Sequence, residues 1–139
     1  MSKVEQREVN GMPLYIYSNL ETPLVGIGVR VNVGSMHETP DEEGVAHFLE
    51  HLIFKGSKDM RPHEFIQLAD ELALRNNAYT SNDHTYYYFT GLAEVLEEGF
   101  SNFMRCIQNP ALRDEELNRE RKVVLEEIML RTTKSPILN

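Results

Sequence analysis

The 139-residue sequence has one cysteine, no tryptophan and a shortage of basic side chains, 14 Lys and Arg against 22 Asp and Glu, for a formal net charge of −8. A lone Cys106 excludes an internal disulfide framework and a cysteine-rich zinc site. The acidic balance argues against the clustered basic face that nucleic acid requires, so no nucleic-acid partner is expected. No apolar run approaches the roughly 20 residues that cross a bilayer as a helix. The opening, Met1-Ser2-Lys3-Val4-Glu5-Gln6, lacks the apolar core of a signal peptide. A cytoplasmic location is therefore the expectation. Repeats, low-complexity tracts and Pro/Gly/Ser-rich linkers are also missing, so residues 1–130 read as one unit and 131–139 as a loosely anchored tail. What is present, 41% hydrophobic and 26% charged residues, matches an ordinary globular domain with a single core.

The first third reads as strands. Asn10-Gly11 between two extended segments is a hairpin signal within Glu8 to Tyr17. The β-branched run Leu24 to Val33 forms a further strand, and its Gly26 and Gly28 imply close packing by something large on one face. Helices follow: one opened by Asp41 to Gly44 and running to Phe54, one with Pro62 at its first position, one from Leu92 to Ile107, and one from Asp114 to about Met129. Between them, Asn77 to Thr80 and Thr85 to Thr90 read as strands joined by the turn formers Ser81, Asn82 and Asp83. This order predicts an α+β fold, a mostly antiparallel sheet covered by helices.

The chemically informative stretch is Val45-Ala46-His47-Phe48-Leu49-Glu50-His51-Leu52-Ile53-Phe54. With His47 at zero on a helical wheel, His51 falls near roughly +40° and Glu50 near roughly −60°. Val45, Phe48, Leu49, Leu52 and Ile53 occupy the opposite, apolar side. Two imidazoles one turn apart can reach a single metal ion, and zinc accepts neutral imidazole readily. Isolated His/Glu triplets are more often the solvated face of an amphipathic helix. Here the polar face is narrow and the rest of the helix is apolar, which favours a metal-hydrolase arrangement. Two ligands are too few for a catalytic zinc, so a further ligand is expected elsewhere.

The helix beyond Leu117 offers one. Glu120 and Glu127 are seven residues apart and return to almost the same face, about −20° on the wheel. They flank the apolar stripe of Leu117, Val124 and Ile128, where an unpaired carboxylate is costly and metal ligation by Glu127 removes the cost. Glu126 points away, and an i,i+4 pair with Lys122 accounts for it.

These residues resemble the inverted-motif (His-x-x-Glu-His) zinc peptidases, the family of pitrilysin, insulin-degrading enzyme and the mitochondrial processing peptidases. The similarity extends to Gly34-Ser35 and Glu38, to Phe54-Lys55-Gly56-Ser57, to Asn77-Ala78-Tyr79-Thr80 with Asp83, Thr85 and Tyr87, and to Glu120-Arg121 with Val123 to Ile128. The resemblance implies a partial processing-peptidase-like metallohydrolase domain and a zinc cofactor held by His47, His51 and Glu127. It further implies Glu50 as the general base that takes a proton from the attacking water. Glu120 would orient a ligand, and Asn77, Ala78 and Tyr79 would lie along a peptide or protein substrate. Two departures stand out. The family often carries paired glycines where this chain has Ala73-Leu74, which predicts a different local backbone. The chain is also far shorter than complete members, so it reads as a fragment or one piece of a larger enzyme.

The alternative is a non-catalytic module needing a second domain or subunit to complete its active-site chamber. A more distant one is a metal enzyme like S-ribosylhomocysteine lyase, which has the inverted motif with a cysteine as third ligand; Cys106 is the sole candidate. His37, His63 and His84 lack partners at ligand spacing and are expected to be surface or hydrogen-bonded histidines. The run Tyr86 to Phe89 is expected to serve sheet packing.

Overall fold

A computed structural model describes residues 4–19, 21–61 and 63–134. Asn10 (φ 50°) and Gly11 (φ 81°) both take the left-handed conformation that a two-residue type I′ turn requires. They join β1 (Val4–Val9) to β2 (Met12–Tyr17), with Val9 opposite Met12. This hairpin forms a two-stranded sheet of its own.

The second sheet is antiparallel with strand order β3-β5-β4, built from β3 (Leu24–Val31), β4 (Arg75–Thr80) and β5 (Thr85–Leu92). Alternation along β5 buries Thr85, Tyr87 and Phe89 on the helix-covered face and turns Tyr86 and Tyr88 to the other. Tyr86 is the large neighbour that Gly28 implies, since a Cβ at Gly28 would overlap the Tyr86 ring and hydroxyl. The covered face packs against Phe54, Phe65 and Phe103, with the Phe89 and Phe103 rings 5.0 Å apart at their centres. Strand β4, paired on one side alone within this sheet, packs against the helix that carries the two histidines.

That helix is α1 (Val45–Ile53). The start signals at Asp41 to Gly44 are partly taken up by a 3-10 turn over Pro40–Glu42, and α1 begins one residue after Gly44, whose φ of 89° closes the turn. Gly44 has no side chain to cap the helix, and Glu38 does so from outside. Its Oε2 accepts the Gly44 N–H at 2.8 Å and its Oε1 the Ala46 N–H at 2.7 Å. A carboxylate there satisfies two orphan donors at the positive end of the helix dipole.

Helix α2 spans Glu64–Glu71; its expected first residue, Pro62, lies outside the described residues. Helix α3 spans Leu96–Gln108, four residues shorter at its start than its sequence suggests. Leu92 and Gly91 instead extend β5 opposite Leu24 and Val25, and a 3-10 turn at Ala93–Val95 follows. Pairing with β3 outweighs helical propensity there. Helix α4 (Asp114–Lys134) packs on α1 and continues past Met129; residues 135–139 lie outside the described residues.

Where the resemblance leads one to expect glycines, the backbone is left-handed. Ala73 takes φ 52° at the end of α2, its N–H bonding Asp70 O at 3.1 Å while Leu74 N–H bonds Ala69 O at 2.7 Å. This is a Schellman closure, whose left-handed residue is normally glycine. Ala73→Gly is therefore expected to stabilise the chain by about 0.5–1 kcal/mol, relieving the Cβ penalty minus the entropy that glycine adds to the unfolded state. An unchanged or lower urea midpoint contradicts it.

Candidate metal centre

α1 and α4 together assemble a cluster from residues far apart in sequence. The His47 and His51 rings meet edge to face with centroids 4.9 Å apart. His51 Nε2 lies 3.3 Å, and His47 Nε2 3.7 Å, from the same oxygen, Glu127 Oε2. One candidate ligand atom from each of the three residues lies within 4.8 Å of the other two. All three side chains are partly exposed, so the cluster opens to solvent.

The donor set fits zinc. Tetrahedral bonds of about 2.0–2.1 Å to nitrogen or oxygen separate neighbouring ligand atoms by roughly 3.3 Å, close to the spacing seen here. Two imidazoles and one carboxylate also leave the fourth position open, as hydrolytic zinc sites do.

The remaining contacts set the orientation of these groups. His51 Nδ1 lies 3.4 Å from Glu120 Oε2, which places that carboxylate where it can orient the ring while Nε2 faces the cluster. Glu120 is 4% exposed, and its other oxygen meets Lys55 Nζ at 2.7 Å. Glu50 sits half-buried beside the cluster, where its Oε2 accepts a 2.7 Å hydrogen bond from the Thr80 hydroxyl on β4. Burial pushes the neighbouring Tyr87 hydroxyl up to about 12, and the Glu50 charge adds to the effect. Tyr87 therefore stays neutral at ordinary pH.

Asn77 and Tyr79 are exposed on β4, with Ala78 half-buried between them. Asn77 Oδ1 accepts its neighbour's Ala78 N–H at 2.8 Å. Glu126 is exposed, away from the cluster. The other histidines have local partners. His37 Nδ1 accepts the Gly34 N–H, His63 lies 3.6 Å from Glu116, and His84 sits in the β4–β5 turn against Ser81 and Asp83. The His84 hydrogen bond, followed by that of Ser81, holds the Asp83 carboxyl at about 2.

Cys106 is fully buried in the core with its Sγ 3.9 Å from Met60 Sδ, and burial pushes its thiol up to about 11. It is not a member of the histidine cluster. Sequence reasoning missed two partners, Thr80 and Lys55. Thr80 shares the inward face of β4 with Ala78, a period-2 signal, and Lys55 stands four residues after His51.

The family model described as insulinase (peptidase family M16) matches residues 15–135. A relative from Rickettsia bellii (strain RML369-C), named an uncharacterized zinc protease, is 36% identical over 119 residues, covering 86% of this chain and 29% of that protein. The probable mitochondrial-processing peptidase subunit beta of Arabidopsis thaliana is 33% identical, covering 86% of this chain and 22% of its own length. Among solved structures, a protease from Helicobacter pylori superposes with a TM-score of 0.87 at 32% identity, covering 99% of this chain and 33% of that one. The chain thus spans between about a fifth and a third of the length of these proteins. A match over most of the chain, together with the inverted His-x-x-Glu-His helix and the glutamate on α4, makes this protein a member of the insulinase family, peptidase family M16.

Proposed function

We propose that the chain is the zinc-holding part of a metallopeptidase, in which His47, His51 and Glu127 bind zinc and Glu50 is the general base for peptide hydrolysis. The observation that carries this reading is the convergence of two imidazole nitrogens on one Glu127 oxygen, with Glu50 on the same helix. Bound zinc supplies Lewis acidity, polarising a peptide carbonyl and making water a stronger acid. Glu50 takes the proton from the attacking water and delivers it to the departing amine. The Thr80 hydroxyl engages one Glu50 oxygen and leaves the other to receive that proton. Glu120 holds the His51 ring in register. The outer edge of β4 supplies main-chain groups for an extended peptide, with Tyr79 bordering a side chain. The Asn77 side chain must release the Ala78 N–H before that group can serve a substrate.

The test is zinc titration of the metal-free chain. One equivalent should bind, and free zinc at about 100 times its Kd should stabilise the fold by about 2.7 kcal/mol. Failure to bind, with an unmoved melting temperature, overturns the proposal.

A second reading is supported by the chain's span of 33% or less of these relatives, one of which is named as a subunit. Here the chain binds zinc but needs further protein, in the same or another polypeptide, to close a chamber over substrate. Peptide hydrolysis by the zinc-loaded monomer alone rules this out; activity appearing only with added downstream protein supports it.

A further inference from the structure

We propose that Lys55 is a positioning residue for the metal centre, acting through Glu120 on His51. The inference rests on the reading above that His51 is a zinc ligand. His47, His51 and Lys55 recur at intervals of four and so follow one line along α1 and the turn that ends it. Opposite them, Glu127 and Glu120 lie seven apart along α4. The pairing is staggered. Both histidines meet Glu127, while His51 and Lys55 share the two oxygens of Glu120.

That sharing carries the argument. The Glu120 side chain is 5% exposed, so water cannot fix its orientation. Lys55 Nζ at 2.7 Å from Oε1 makes a close ion pair, whereas His51 Nδ1 at 3.4 Å from Oε2 is a longer contact. The lysine is thus the stronger anchor of the carboxylate plane, and that plane determines where the second oxygen meets the imidazole. The Lys55 backbone is itself pinned, its N–H donating to Leu52 O at 3.0 Å. A cation at the C-terminal end of α1 is also favoured by the helix dipole. With Lys55 removed, Glu120 can turn about its last torsion, and His51 loses the partner that selects its tautomer and ring angle.

Zinc affinity of the 139-residue chain, measured by competition with a chromophoric chelator, tests this. Lys55→Met should weaken zinc by about tenfold, the scale of losing an outer contact to a ligand. Lys55→Arg should restore affinity close to wild type, because guanidinium can still reach the carboxylate. In a Glu120→Gln background, Lys55→Met should cause no further loss. That coupling separates positioning from a general stabilising role, which would weaken both backgrounds equally, and melting of the metal-free variants reports stability independently. Wild-type affinity in Lys55→Met, or an equal loss in the Glu120→Gln background, overturns the proposal. If the wild-type chain itself binds no zinc, the metal-site reading has failed and the role of Lys55 falls with it.

Discussion

Glu127→Ala is expected to abolish tight zinc binding while leaving the fold in place. Glu127 supplies the oxygen on which both imidazole Nε2 atoms converge. Without it the site keeps two ligands from a single helix, and affinity should fall by at least about a hundredfold, more than for loss of a supporting contact. The side chain is 32% exposed, so its removal opens no deep cavity. Glu126→Ala is the matched control, because the neighbouring carboxylate is exposed and turned away from the cluster. Metal content after dialysis, read beside wild type, decides the matter. Equal occupancy in Glu127→Ala eliminates it as a ligand.

Glu50→Gln should separate binding from chemistry. The amide oxygen can still accept the Thr80 hydroxyl hydrogen bond, and no ligand is touched, so zinc should bind as before. An amide cannot take the proton from water, and hydrolysis in the complete enzyme should fall by about 10²–10⁴-fold. Unchanged turnover removes Glu50 as the base. Joint loss of zinc and activity points instead to a structural role.

Much of this site is legible in the sequence because helical periodicity is local. Gly44 to Phe54 alone shows which face carries His47, Glu50 and His51, and the seven-residue interval from Glu120 to Glu127 shows that they share an edge. That the two edges meet is a tertiary fact. In the sequence it is signalled by the cost of an unpaired carboxylate beside an apolar stripe and by family resemblance. Thr80 and Lys55 escaped notice because each matters through one contact with a distant element, the first across to α1 and the second across to α4. The Asn10-Gly11 hairpin was readable because its turn chemistry is contained in two residues. The boundary between β5 and α3 was not, since register with β3 decides it. Ala73 shows the converse: the hydrogen bonds of the helix end impose a conformation that the residue itself resists.

The contact between α1 and α4 has a mechanical consequence. His51 and Glu127 are 76 positions apart, so one ion held by both closes a large loop of the polypeptide. A cross-link of that span removes many conformations from the unfolded ensemble, and the cost of closing it grows only slowly with length. An ion held there would act as a clasp as well as a Lewis acid, tying the proposed chemistry to the seating of one helix on the other. Any change that lifts α4 from α1 would open the clasp and disperse the ligands together.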